Sequence, residues 1–290
     1  MTRHTHPSMT VVANPIQRRP IRAADGAPLL EYIEARPDGP RSGPPILFVH
    51  GAFGGAWMWS EVFIPYFVRR GRTAAAFSLR GHGASEGHAS LREARLSDFV
   101  ADLQRALRHL GEPPVVVGHS LGGLLAQLIL GRTPLRGLVL MGSLPPEGLF
   151  WESPRLALSD PAIWMEAAIG AIADAKLPTA AAMAEILFSD KLPPERAARY
   201  AARMTPEAPL ALLDAHVPWP IVPAALVGVP TLVIGGTEDR LVCHLSSVRT
   251  ALYHLGQHET AEGLGHFMQI DEGAEEVGRT VLDWLDRRGL

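Results

Sequence analysis

Ser120 stands at the centre of Gly118-His119-Ser120-Leu121-Gly122, directly after the β-branched run Val115-Val116-Val117 and directly before an apolar helical pattern. A strand that turns so sharply into a helix holds the central side chain up and exposed, where a nucleophile is wanted. Gly118 and Gly122 suit that turn, because a Cβ at either place would collide. The free N–H groups opening the next helix, read as Leu121–Leu130, can meet a negative charge developing beside Ser120. A serine hydroxyl is a poor nucleophile at neutral pH. It needs an adjacent base, which must itself be oriented by an acid.

The elements around this turn alternate. Ile16–Arg22 and Leu29–Ala35 flank Ala24-Asp25-Gly26 and read as a hairpin. Ile46–Val49 is a short, wholly apolar strand of the kind buried on both faces of a parallel sheet. It runs into the glycine-rich loop His50-Gly51-Ala52-Phe53-Gly54-Gly55, followed by a helix from about Trp59 to Val68. Thr73–Leu79 is the next strand, and Ser97-Asp98 starts a helix carrying Phe99, Leu103, Leu107 and Leu110 on one face. Leu135–Met141, Pro230–Ile234 and Gln257–Ala261 are further strands, with helices at His244–Tyr253 and at the C-terminal end. Strand–helix alternation of this kind predicts a mostly parallel α/β sheet flanked by helices.

Between Pro146 and Pro223 the alternation stops. Helix starts replace strands there, at Ser159-Asp160-Pro161, Thr179, Pro193-Pro194-Glu195 and Thr205-Pro206-Glu207. The expected organisation is a core in two parts, residues 1–145 and 224–290, with a helical cap over residues 146–223.

Catalytic groups on such a sheet gather at the C-terminal ends of the strands. Asp239 and His266 both lie there, beside the alternative acids Glu238 and Glu147. His50 and His82 also follow strands and read as loop braces, while adjacency turns His119 away from Ser120. His244, His254, His258 and Glu262 match no compact zinc spacing and read as surface or helix-face residues.

Composition narrows the remaining classes. The chain has 290 residues, 47% of them hydrophobic, and 27 Lys and Arg against 30 Asp and Glu, a net charge of −3. Nothing in that balance calls for nucleic acid or an anionic membrane surface as a partner. Leu121–Leu130 is the longest nearly apolar run, against the ~20 residues that a membrane span needs. Cys243 is the single cysteine and fits a reducing compartment. Met1–Pro15, with His4 and His6, has no apolar stretch of signal-peptide length and reads as a disordered start. A soluble cytoplasmic protein is the expectation.

The chain resembles the α/β-hydrolase fold family, in particular its capped serine esterases and lipases. The resemblance rests on His50-Gly51, Arg80-Gly81-His82-Gly83-Ala84-Ser85, Gly118-His119-Ser120-Leu121-Gly122-Gly123, Gly235-Gly236-Thr237-Glu238-Asp239 and Gly265-His266, in that order. It implies an α/β-hydrolase fold with an inserted helical cap, Ser120 as nucleophile, His266 as general base and Asp239 as orienting acid. It also implies an oxyanion hole from the backbone N–H groups of Ala52 and Leu121, and a mechanism that needs neither metal nor organic cofactor. One departure stands out. Relatives usually carry an aspartate two residues before the Arg-Gly-His-Gly arginine, and here that residue is Ser78.

The implied activity is hydrolysis of a carboxylic ester of a small, fairly apolar substrate through an acyl-enzyme. Phe53, Trp151 and Trp164 are the candidates for the pocket wall. Lactone hydrolysis, carbon–carbon bond hydrolysis and acyl transfer use the same triad and stay open, as does a low-turnover ligand-sensing role. Epoxide and haloalkane hydrolysis are disfavoured, since those relatives use an aspartate where this chain has Ser120.

Overall fold

The computed structural model describes residues 15–22, 26–165 and 180–290. Eight strands form one sheet: β1 Gln17–Arg18, β2 Tyr32–Ala35, β3 Ile46–Val49, β4 Ala74–Phe77, β5 Val115–His119, β6 Gly137–Met141, β7 Thr231–Gly236 and β8 Gln257–Ala261. Their spatial order is β1-β2-β4-β3-β5-β6-β7-β8. β1 and β2 pair antiparallel with their neighbours, and every other pairing is parallel. The hairpin arms pair as expected, while Ala24 and Asp25 of its turn lie outside the described residues, as do His4, His6 and Thr179.

The central strands read as uninterrupted apolar runs because both faces are covered. Ile46 and Phe48 of β3 join one core with Phe63, Phe67, Val281 and Trp284, from the helices Phe63–Val68 and Ala274–Arg288. Leu47 and Val49 join the opposite core, with Phe99 and Leu103 of helix Leu96–Leu110 and Leu124 and Leu125 of helix Leu121–Leu128. Trp59 stacks on Phe48 with ring centroids 4.8 Å apart.

The helix expected over Trp59–Val68 is two helices, Trp57–Ser60 and Phe63–Val68, interrupted at Glu61 and Val62. The Ser97-Asp98 start holds in substance. Asp98 accepts the N–H of Arg95 at 2.9 Å and caps a helix that begins at Leu96. Between β6 and β7 every described element is helical: Leu149–Ser159, a turn at 161–165, Ala180–Leu187, Pro194–Ala201, Pro209–Asp214 and a short 3₁₀ turn at Ala224–Val227. The helix expected from Thr205-Pro206-Glu207 starts at Pro209 instead, with Ala208 as its extended N-cap and Glu207 outside the helix. No described helix is long and apolar enough to cross a membrane.

Candidate active site

The loops after β3, β5, β7 and β8 converge at one end of the sheet. Ser120 sits between β5 and its helix with φ +52° and ψ −120°, a conformation that costs a non-glycine residue ~1–3 kcal/mol. The turn is tight enough to require glycines beside it. A Cβ on Gly118 would lie 2.7 Å from the Gly122 carbonyl oxygen and the Gly123 Cα. Leu121 is the first helical residue, so its N–H has no acceptor within the helix.

The three residues expected to cooperate are joined by hydrogen bonds. His266 Nε2 lies 2.9 Å from Ser120 Oγ, and His266 Nδ1 lies 2.8 Å from Asp239 Oδ2. The carboxylate has no proton to give, so Nδ1–H donates to Asp239 and Nε2 is left to accept from the Ser120 hydroxyl. Asp239 Oδ1 is occupied by the N–H groups of Leu241 and Val242, each at 2.9 Å. The alternative acids lie elsewhere: Glu238 is exposed and Glu147 pairs with Arg249. Chemically, this arrangement can draw a proton from the serine while a fixed carboxylate steadies the resulting imidazolium.

Ser120, His266, Ala52 and Leu121 open onto one cavity of about 310 Å³. Its wall is almost wholly apolar and includes Phe53, Trp164, Leu144, Leu156, Leu212 and Val242. The expectation for Trp151 fails. Its side chain is 59% exposed and packs edge-on against Phe150, outside the cavity wall. Trp164 takes the inner position, its indole N–H donating to Ser153 Oγ at 3.0 Å.

The flanking histidines separate by environment. His50 Nδ1–H donates to the Gly51 carbonyl at 2.8 Å and Nε2 accepts the Leu79 N–H at 3.0 Å, so the ring is neutral. Burial pushes it down to about 3. His254 donates to Gln127 and accepts from the Ala224 N–H, and burial pushes it down to about 4. His119, buried against the His266 ring, is also held well below its ordinary value by burial first and by that neighbour second. Its Nε2–H donates to the His266 carbonyl at 2.9 Å and so anchors the His266 backbone.

A histidine depressed in the folded state takes up its proton on unfolding. Stability is therefore expected to fall as pH drops below about 6.5, by roughly 1 kcal/mol per pH unit for each of these three rings. Urea unfolding at pH 7, 6 and 5 measures this. A flat profile across that window contradicts the neutral assignments.

The departure at Ser78 is compensated locally. Ser78 Oγ donates to Glu31 Oε2 at 2.7 Å and accepts the Ala56 N–H at 2.9 Å, while Glu31 also accepts the Ala84 N–H at 3.0 Å. Arg80 binds both oxygens of Asp102 at 2.9 Å, so the loop has its polar anchors. His244 and His258 sit edge to face, with His258 against Ser247 Oγ at 2.8 Å. Among the described residues no group of three or more His, Cys, Asp or Glu side chains is placed to hold a metal ion.

A model of the alpha/beta hydrolase family matches residues 46–280, from β3 into the first half of the last helix. The chain belongs to the alpha/beta hydrolase family. Among curated relatives, the sn-1-specific diacylglycerol lipase ABHD11 of Mus musculus is 36% identical over 98 residues, 33% of this chain and 31% of the lipase. A proline iminopeptidase of Arabidopsis thaliana is 37% identical over 109 residues, 36% of this chain and 28% of the peptidase. The matches thus span about a third of those relatives' length. A thermophilic esterase from Thermogutta terrifontis shares the fold at TM-score 0.67 and 21% identity, over 94% of this chain and 100% of the esterase. A bromoperoxidase from Bacillus anthracis does so at TM-score 0.70 and 19% identity, over 93% and 100%.

Proposed function

We propose that this hydrolase cleaves carboxylic esters of small, fairly apolar substrates through an acyl-enzyme on Ser120. The observation that carries the reading is the unbroken Ser120–His266–Asp239 hydrogen-bond chain, whose Ser120 and His266 line an apolar cavity. His266 takes the Ser120 proton as Oγ attacks the acyl carbon. The tetrahedral oxyanion is met by the Ala52 and Leu121 N–H groups, each donor worth ~3 kcal/mol in the transition state. His266 then protonates the leaving alcohol. Water, deprotonated by the same ring, releases the acid and regenerates the serine. The chemistry assigns no role to a metal or an organic cofactor.

Cavity size bears on the acyl part. At ~30 Å³ for each water-sized group, 310 Å³ has room for about ten, a short to medium acyl chain or one substituted ring. The helices between β6 and β7 form much of the wall and, on this reading, cap the site.

The test is a series of p-nitrophenyl esters from acetate to laurate, with pre-steady-state kinetics. Turnover with a burst of nitrophenol, favouring acyl chains of two to six carbons, is the expected result. Leu156→Trp, which adds bulk on the cavity wall, is expected to lower kcat/KM for hexanoate at least tenfold while acetate changes less than threefold. Aliphatic lactones hydrolysed faster than every open-chain ester would overturn the ester assignment. The absence of both turnover and burst would favour a ligand-binding role.

A further inference from the structure

Residues 205–208 belong to the stretch between β6 and β7, yet they act on the loop after β3. Glu207 is buried, and its Oε2 accepts the Phe53 N–H at 3.1 Å. The Phe53 carbonyl in turn accepts the Thr205 N–H at 3.1 Å. Both backbone groups of Phe53 are thus engaged by two residues of one distant segment. Phe53 has φ +62°, a left-handed conformation disfavoured by ~1–2 kcal/mol for a side chain of this kind. Those two bonds add to the turn's own, from the Gly54 N–H to the Gly51 carbonyl at 3.3 Å, in keeping it there.

The carboxylate is itself held. Glu207 Oε1 accepts the Ala208 N–H at 2.7 Å, and Oε2 faces His82 Nε2 at 3.3 Å. His82 Nδ1 points at the Arg80 carbonyl at 3.0 Å, so both ring nitrogens face acceptors and the ring is an imidazolium. Burial alone would lower His82. Glu207, joined by the Arg80 carbonyl and Asp102, outweighs it and raises His82 above its ordinary value, while burial of Glu207 is likewise outweighed by His82 and the two N–H donors, which hold the carboxyl low. A fully buried ion pair brings little net stability, because desolvation costs several kcal/mol per ion. Its contribution here is geometric. Ala52 directly precedes Phe53, and the Phe53 side chain lines the cavity.

We propose that Glu207 is a positioning residue for the oxyanion hole: from the inserted segment it clamps Phe53 in its left-handed turn and so aims the Ala52 N–H at the developing charge. The assignment rests on the ester-hydrolase reading of Ser120 and Ala52. It also couples the insertion to catalysis, since a cap displaced from this contact would release the oxyanion loop.

The experiment compares wild type, Glu207→Gln and Glu207→Ala on p-nitrophenyl butyrate, with folding followed by circular dichroism. Each protein is titrated with a trifluoromethyl ketone that forms a tetrahedral adduct, and with the matching secondary alcohol, which cannot. The expected result is a kcat loss of about tenfold for Glu207→Gln and a hundredfold for Glu207→Ala, with KM within threefold. Affinity for the trifluoromethyl ketone should fall by the same factors while affinity for the alcohol holds. Glu207→Gln, nearly isosteric, carries the test if Glu207→Ala does not fold. Full kcat in the folded variants overturns the proposal. So does a kcat loss unaccompanied by weaker trifluoromethyl ketone binding, which would indicate a structural role only. A wild type without ester turnover sinks the hydrolase reading first, and that outcome is separate from a defect confined to the variants.

Discussion

Ser120→Ala is expected to lose at least three orders of magnitude in ester turnover while unfolding at nearly the wild-type urea midpoint. Ser120→Gly is expected to be equally inactive and more stable than wild type by about 1 kcal/mol. The activity loss follows from removing the hydroxyl that His266 Nε2 faces, 2.9 Å away. The stability gain follows from the backbone. Ser120 occupies φ +52°, ψ −120°, which glycine adopts without strain. Relief of ~1–3 kcal/mol is partly offset by the ~0.5–1 kcal/mol that glycine's unfolded-state freedom costs. Urea unfolding and ester kinetics on the three proteins measure both effects. A residual rate in Ser120→Ala above a hundredth of wild type would remove the serine from the mechanism. A Ser120→Gly variant no more stable than Ser120→Ala would show that the elbow stores no strain.

Much of this site was legible from residue types, and the reason is physical. A strand buried on both faces is an apolar run, so Val115–Val117 announces itself, and the turn at its end tolerates little except glycine at positions 118 and 122. Asp239 and His266 could be named because strand ends of a parallel sheet face one crevice. Glu207 could not. Its partners Phe53 and His82 are 154 and 125 residues away, and its motif, Thr205-Pro206-Glu207, looks like a helix start. The remaining signal was an acidic residue amid an alanine-rich, apolar stretch, which is suggestive only once burial is known. Trp151 illustrates the opposite failure. Aromatic character alone does not say which face of a helix meets the cavity, and Trp151 of Leu149–Ser159 points to solvent while Leu156 points inward. Ser78 illustrates substitution of a role across the chain. The carboxylate usual at that place is supplied by Glu31, 47 residues earlier, through a hydroxyl.

Gly122→Ala should be among the most damaging single changes available to this chain, although it adds one methyl group. That Cβ would lie 2.3 Å from the His50 carbonyl oxygen and 2.6 Å from that of Val49. Neither atom can give way easily. Val49 is locked between Phe77 of β4 and Gly118 of β5, and His50 is pinned through both ring nitrogens. Accommodation must therefore push the helix Leu121–Leu128 off the sheet, which separates the Leu121 N–H from the Ala52 loop. A loss of 3 kcal/mol or more is expected, a large share of the ~5–15 kcal/mol typical of a folded domain, and the folded protein should lose kcat a hundredfold or more. Gly39→Ala, where an added Cβ meets nothing within 4 Å and φ is ordinary, is the matched control and should be neutral within about 0.5 kcal/mol. Urea unfolding with ester kinetics on both variants decides the matter. Wild-type stability and turnover in Gly122→Ala would mean that the close approach of helix and β3 is not what brings together the two amides proposed as the oxyanion hole.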